Sequence, residues 1–277
     1  MRNQSPELYY NRESTRHFLY SKAEEPHKKR IHIPARIQKA IKSVYPRLLT
    51  GHAFIDRAEQ QLSAAAIFAC LVFQIDGDAA SDPEQPEADP VAAHQKAAKL
   101  FDDFCKTNNG SWGLINSGLF GAFFEGKNAS RCLELIQKFQ NKLAKQTGIT
   151  VSAGIAEYPT LSYQPAEMLT NALKALDHAA FFGPGGTAIF DAVSLNISGD
   201  RLFDKGDIQG SISEFQLALK LDSSNINVHN SLGVCYGLTG DYQKAKTEFE
   251  SAIKLEVGAV MPWYNLGLTI MLAGDRR

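Results

Sequence analysis

The final third of the sequence repeats itself with a period of 34 residues. The segment SEFQLALKLD at 213–222 aligns with TEFESAIKLE at 247–256, and a Gly-Asp pair begins at positions 206, 240 and 274. Apolar residues follow helical spacing here, which is typical of stacked pairs of helices. One pair alone cannot bury its apolar face, so such a chain folds by stacking each pair on the next. We therefore expect residues 193–277 to be all-α, with each Gly-Asp in the turn between the two helices of a repeat.

Small and large residues occupy the positions that paired helices require. The small positions, where helices approach closely, are Gly199, Gly233, Gly267, Ala218 and Ala252, and the large ones, which fill space between pairs, are Phe215, Phe249, Tyr236 and Trp263. Together with the period, this pattern resembles the tetratricopeptide repeat (TPR). The third repeat stops after its first helix, leaving about two and a half repeats. Arrays normally end in a polar capping helix, so we expect a piece of a longer repeat protein; otherwise Trp263, Leu266 and Leu268 face an unfinished edge.

The TPR resemblance implies a concave groove that binds a peptide or helix of a protein partner. In that family the first helix of each repeat lines the groove. The candidate groove residues are Asn196, Asp200 and Phe203 in the first repeat, Asn227, Asn230, Val234 and Leu238 in the second, and Tyr264 and Leu268 in the third. Amides such as Asn196 and Asn230 can fix a peptide backbone by donating and accepting at once. They can equally cap or hydrate the helices, and the sequence leaves both roles open.

Residues 34–192 alternate helical and strand patterns, which predicts an α+β sandwich. The predicted order is α-α-β-α-β-β-α-β-α-β, with AAIFACLVFQID at 65–76 as a central strand.

The composition of residues 1–33 predicts a polar arm. Its basic cluster HKKR at 27–30 favours a solvated segment over a nucleic-acid contact. Residues 76–90 predict an acidic flexible loop. Its Asp76, Asp78 and Asp82 lack the central Gly and closing Glu of a calcium loop, so we expect no metal there.

Four stretches of this α+β part resemble the GGDEF family, the diguanylate cyclases. They are PRLLTGHAFIDRAEQQL, FACLVFQID, VSAGIAEYP and NALKALDHAAFFGPGGTAIFD, of which the third is the most specific. The resemblance covers residues 43–192 and implies a nucleotidyl cyclase-type fold. In that family two GTP-loaded domains face each other, and metal-bound carboxylates activate a 3′-hydroxyl to make cyclic di-GMP.

The resemblance does not extend to the residues that carry the family's chemistry. The family's first metal Asp falls on Gln74, and its signature turn falls on Ser117, Gly118, Leu119, Phe120 and Gly121, so that both acids are replaced. The guanine contacts fall near Asp82 and on Ala98, although His94 is kept, and the phosphate-binding cations fall on Ala180 and Pro184. The inhibitory RxxD is absent, since that region reads NNGSW at 108–112. Mg²⁺ needs oxygen ligands, so we expect no catalytic residue, no metal and no cofactor.

Three interpretations of the altered hairpin, INSGLFGAFFEG at 115–126, stay open. In the first, Leu119 and Phe120 have no functional role and lie either tucked against the sheet or loosely exposed. In the second, they form an exposed apolar contact with another protein. The tip lies at the dimer face of active cyclases, so the second interpretation predicts a homo- or hetero-dimer through the GGDEF-like face. The third is nucleotide sensing without turnover, which the loss of both ligand sets disfavours.

Composition excludes several classes of protein. A formal net charge of −1 and a pI of about 6.7 give no field that favours nucleic acid. The longest apolar run, 64–73, is too short to span a membrane, and the polar N-terminus is unlike a signal peptide. The four cysteines, Cys70, Cys105, Cys132 and Cys235, lie far apart without metal spacing. They predict reduced thiols of a cytoplasmic protein.

The function predicted from these patterns is a non-catalytic bacterial signalling or scaffold module. A degenerate GGDEF domain is coupled to TPR repeats that bind a protein partner. The alternative is a receptor that responds to GTP or cyclic di-GMP, and an active diguanylate cyclase is the less favoured third hypothesis.

Overall fold

A computed structural model describes residues 35–76, 89–116 and 118–274. Within this part the chain divides into two compact units, with the boundary between Phe190 and Asp191, two residues before the predicted one. Several predicted features lie outside the described residues: the polar arm at 1–33 with its basic cluster, the loop acids Asp78 and Asp82, and Ser117 of the hairpin.

The first unit, up to Phe190, contains a five-stranded sheet in the order β2-β3-β1-β4-β5. The strands are Phe68–Ile75 (β1), Ser111–Leu114 (β2), Leu119–Glu125 (β3), Val151–Tyr158 (β4) and Thr187–Ile189 (β5). All neighbours are antiparallel except β4 and β5, which are parallel. The first six residues of β1 are buried, as expected of a central strand covered on both faces.

Five helices accompany the sheet in the predicted order. They are Ala35–Val44 (α1), His52–Leu62 (α2), Pro90–Thr107 (α3), Ala129–Thr147 (α4) and Met168–Ala179 (α5), with 3₁₀ turns at Pro165–Glu167 and Ala180–Phe182. Side chains of α1, α3 and α4 share one hydrophobic cluster with alternate residues of β1. On the opposite face Phe54 of α2 contacts Phe123, and α5 crosses so close to Gly154 that a methyl group there would overlap its backbone. The sheet is therefore enclosed by helices on both sides.

In residues 191–274, the described part of the second unit, the regular elements are all helices. They are Ala192–Asp204 (α6), Ile208–Leu221 (α7), Ile226–Leu238 (α8), Tyr242–Leu255 (α9) and Val260–Leu272 (α10). Gly206 and Gly240, with φ of 82° and 81°, make the turns inside the two complete pairs, and Asp207 and Asp241 cap the helices that follow. The predicted α+β domain followed by an all-α repeat segment is confirmed.

Close packing inside each pair explains the glycines of the repeat. A Cβ on Gly199 would lie 2.5 Å from Cε1 of Phe215, and one on Gly233 would lie 2.6 Å from Cε1 of Phe249. Both phenylalanines are fully buried. The prediction that Trp263 fills space between pairs is wrong: its side chain is 51% exposed and donates a hydrogen bond to the carbonyl of Val257.

Candidate functional sites: the strand hairpin and the repeat groove

The hairpin between β2 and β3 turns between Ile115 and Leu119, and the side chain of Asn116 caps the turn. The Asn116 side-chain oxygen accepts hydrogen bonds from the backbone N–H groups of Gly118 and Leu119, both at 3.1 Å. Ile115 then donates to the carbonyl of Leu119 at 2.8 Å, so strand pairing is already established there. Leu119 and Phe120 therefore belong to β3 rather than to the tip.

Phe120 lies in the core, which contradicts its interpretation as an exposed contact. Alternation along β3 points this side chain inward, where it is fully buried, while Leu119 is partly buried. The ring of Phe120 stacks on Phe73 at 4.6 Å between centroids and also meets Phe101. The interpretation that it is tucked against the sheet is the one that fits. Gly118 and Gly121 of the same signature stretch are also buried.

The strand register brings together the positions where the GGDEF resemblance implies metal-binding acids. Gln74 of β1 is the cross-strand partner of Leu119, and Phe73 is the partner of Phe120. Neighbouring strands in such a pair hold their side chains close enough to share a ligand. Here the pair Gln74 and Leu119 supplies an amide and an alkyl group on one face of the sheet, and the pair Phe73 and Phe120 supplies two rings on the opposite, buried face. Within residues 35–76, 89–116 and 118–274, no group of three or more His, Cys, Asp or Glu side chains has metal-binding geometry.

Asp76 is the acid that remains at the end of β1, and both of its carboxylate oxygens accept hydrogen bonds. Ser152 donates its hydroxyl to Oδ1 at 2.5 Å, and the backbone N–H of Gly185 donates to Oδ2 at 2.7 Å. This side chain therefore ties β1 to β4 and to the glycine-rich turn before β5. The sequence could not show this role, because Gly185 lies more than one hundred residues further along the chain.

His94, the residue kept from the family pattern, is also part of the interior. Its Nδ1 lies 2.6 Å from the carbonyl oxygen of Pro90, to which it donates, and its ring stacks over Phe120 at 6.2 Å. Burial lowers the pKa of His94, while the Pro90 hydrogen bond opposes that shift. The imidazole is therefore neutral at pH 7, and its Nε2 has no hydrogen-bond partner among the described residues.

The nine candidate groove residues differ in their accessibility. Asn227, Leu238 and Tyr264 are exposed, Asp200, Phe203 and Asn230 are partly buried, and Asn196, Val234 and Leu268 are buried. Helix packing covers the side chains of the three buried residues. The prediction that Val234 and Leu268 line an open surface is therefore wrong. Asn196 is different, because its buried Oδ1 has no hydrogen-bond partner among the described residues. A buried acceptor without a partner is costly and is the kind of group that a ligand can satisfy.

Asn265 is a polar residue of the repeat unit that the sequence analysis missed. It is fully buried, and its Nδ2 donates to Oδ1 of Asn230 at 3.0 Å, joining the first helices of the second and third repeats. This side-chain hydrogen bond between repeats is neither of the two roles, peptide binding or helix capping and hydration, that the sequence left open for Asn230. These two residues are one residue further apart in the sequence than the repeat period, so they are not equivalent positions of the repeat and the period gave no reason to pair them.

His229 is a second missed residue, and it joins the two helices of the second repeat. Its Nδ1 lies 2.7 Å from Oε2 of Glu248, and its Nε2 lies 3.1 Å from the carbonyl oxygen of Ser223. Both partners are acceptors, so both ring nitrogens donate only when the imidazole is protonated. The hydrogen bond to Glu248 accordingly raises the pKa of His229, against the opposing effect of burial.

Family models confirm the repeats. A TPR repeat model matches residues 199–240, and a tetratricopeptide repeat model matches residues 226–256. The described part of the chain contains no helix with the length and apolar character needed to cross a bilayer. No curated protein matches the sequence significantly.

Solved structures similar to this chain include GGDEF domains and a TPR domain. The GGDEF domain of DgcB from Caulobacter crescentus, in complex with c-di-GMP, is 16% identical over 51% of this chain and 88% of that one, with a TM-score of 0.43. The GGDEF domain of FimX from Pseudomonas aeruginosa is 18% identical over 51% and 93%, with a TM-score of 0.42. The second TPR domain of human RPAP3, in complex with an HSP70 peptide, is 19% identical over 28% and 66%, with a TM-score of 0.28.

Proposed function

We propose that this protein is a non-catalytic signalling or scaffold module of the bacterial cytoplasm, in which the TPR repeats bind a protein partner. The observation that carries the proposal is the surface on the first helices of the repeats. Exposed Asn227 and Tyr264, on α8 and α10, supply an amide and an aromatic ring. An extended peptide or a partner helix can hydrogen-bond to the amide and pack on the ring.

The absence of catalysis is proposed from the pair Gln74 and Leu119. Metal-assisted phosphoryl transfer requires carboxylate oxygens that hold divalent ions against the triphosphate. The positions that the GGDEF resemblance assigns to this task face each other across β1 and β3, yet carry no carboxylate. Asp76 nearby has both oxygens engaged by Ser152 and Gly185. The α+β unit then acts as a structural or protein-binding element.

The cytoplasmic location is proposed from the state of the cysteines. All four are free and buried, and each has a thiol whose pKa is raised, chiefly by burial. Free thiols persist in reducing compartments, whereas secreted proteins commonly pair theirs.

The partner-binding part of the proposal is tested with the full chain immobilised and exposed to a bacterial lysate. We compare the wild-type protein with an Asn227→Ala/Tyr264→Ala variant. The matched control is Gln209→Ala/Thr247→Ala, which changes two exposed residues on the second helices α7 and α9. The groove variant is expected to reduce capture of a specific protein about tenfold, because central aromatic and polar contacts dominate such interfaces. Equal capture by all three proteins contradicts a groove site.

The non-catalytic part is tested by calorimetric titration with GTP and Mg²⁺ and then with cyclic di-GMP, followed by an assay for product from GTP. We expect no binding heat and no cyclic dinucleotide. Product formation contradicts the proposal outright. A binding isotherm without product instead supports a nucleotide-responsive receptor.

A further inference from the structure

The α+β unit has an open surface cleft that the proposed function does not use. Its volume is about 630 Å³, and it lies among the segment after α1, helix α2, the end of α3 and the start of β2. Small-molecule sites commonly have volumes of roughly 300–1,000 Å³. Ser111 and Phe123, which are cross-strand partners, mark its position on the sheet. That is the end of the hairpin remote from Asn116, so the cleft is separate from the pair of Gln74 and Leu119.

The apolar wall of this cleft is built by close packing. Phe54 is buried against the bare backbone of Gly113 and Gly121, where a side chain at either glycine would overlap its ring. The ring of Phe54 also meets that of Phe123, with centroids 5.4 Å apart. Leu48 extends the same wall. These residues offer an apolar surface that is already ordered, so a ligand loses little binding energy to rearrangement.

The charged groups of the cleft leave a positive excess. Asp102 is the acid among the described lining residues, and it is already engaged by Lys106 at 2.6 Å and by the indole N–H of Trp112 at 3.0 Å. Arg47 and Arg57 also line the cleft, and neither has an ion pair or hydrogen bond with a described residue. Two guanidinium groups beside an apolar wall complement an anionic head group.

Tyr45 adds a neutral donor to the same cleft. Its ring meets Trp112 edge-on at 5.5 Å. Burial and the nearby charge of Asp102 raise the pKa of the Tyr45 phenol, so the hydroxyl keeps its proton at neutral pH. A protonated phenol can donate to an anion without adding repulsion.

We propose that this cleft binds a small amphipathic anion, with its apolar body against Phe54, Phe123 and Leu48 and its carboxylate or phosphate head on Arg47 and Arg57. The ligand class comprises acyl and aromatic carboxylates and phosphate monoesters that diffuse freely. Charge selects the head group, and the volume of the cleft limits the body to a single short chain or a small ring system.

The first test uses decanoate as the probe and decyltrimethylammonium as a probe of equal chain length and opposite charge. The protein is the full chain with Trp263→Phe, which leaves Trp112 as the one tryptophan of the sequence. Because Trp112 lines the cleft, its fluorescence reports binding there. We expect a saturable change with decanoate and none with the cation. An equal response to both probes, or no response to either, overturns the proposal.

The second test removes the charges without disturbing the wall. Arg47→Gln and Arg57→Gln are each expected to weaken decanoate binding about threefold to tenfold, and the double variant to abolish it. Arg36→Gln is the matched control, because Arg36 is exposed on α1 and does not line the cleft. Unchanged affinity in the double variant overturns the proposal. So does binding to phosphatidylglycerol vesicles without binding to free decanoate, which assigns the arginines to a membrane surface.

Discussion

Gly113 and Gly121 face each other across strands β2 and β3, and together they form the surface on which Phe54 rests. A Cβ on Gly121 would lie 2.7 Å from Cε1 of Phe54, and one on Gly113 would also overlap that ring. Gly121 occupies the final position of the aligned GGDEF signature. In this chain it is needed for packing on the side of the sheet covered by α2.

The first prediction follows from this contact. Gly113→Ala and Gly121→Ala are each expected to lower the free energy of unfolding of the α+β unit by about 1–3 kcal/mol, because the added methyl displaces a buried ring. Gly258→Ala, in the repeat unit, is the control: a Cβ there meets no atom within 4 Å, so the stability of the α+β unit should stay unchanged. Urea unfolding followed by Trp112 fluorescence in the Trp263→Phe background measures the effect. Stability equal to that of the control would contradict the packing role.

The second prediction concerns the two residues that replace the signature acids. Phe120→Ala should destabilise the unit by about 3–5 kcal/mol, because it leaves a cavity beside Phe73. Leu119→Ala should cost much less, since that side chain is only partly buried. Thermal unfolding of both variants separates the residues. Similar small losses for both would mean that Phe120 is not a core residue.

The element order and the repeat were predictable because both depend on patterns that extend along the chain. The period marked Gly199 and Gly233 as points of close helix approach, although Phe215 and Phe249, expected between pairs, pack on these glycines inside each pair. The hairpin was harder because its turn depends on one side-chain cap. Asn116 caps the turn by accepting from the N–H groups of Gly118 and Leu119, so β3 begins at Leu119 and includes Phe120.

The roles of individual polar residues could not be predicted, because they depend on partners distant in sequence. The sequence places Asp76 at the start of a flexible acidic loop, yet its side chain is held by Ser152 and Gly185. Asn230 suggested a groove residue, yet it also accepts from Asn265 of the next repeat. A one-dimensional pattern identifies which residue types recur, and only the packed structure decides which hydrogen bonds they make.

The third prediction compares equivalent glycines of the repeat. Gly233→Ala should lower the stability of the repeat unit by about 1–3 kcal/mol, because its Cβ would lie 2.6 Å from the ring of Phe249. Gly267→Ala is the matched change, since no atom lies within 4 Å of its Cβ position. There we expect a gain of up to about 1 kcal/mol from the helix propensity of alanine. Helix content measured by circular dichroism in urea tests both. Equal destabilisation by the two changes would contradict this account.

The fourth prediction is a pH dependence of the repeat unit that originates at His229. Glu248 raises the pKa of His229 in the folded protein above the ordinary value of about 6.5, with a smaller contribution from Asp222 in the same direction. The stabilisation is therefore complete below pH 6.5 and is lost as the pH rises through the folded pKa. Thermal unfolding between pH 6 and 9 should show this loss in the wild-type protein and a flatter profile in Glu248→Gln, which keeps the shape of the side chain but removes its charge. Parallel profiles for the two proteins would place the titration elsewhere.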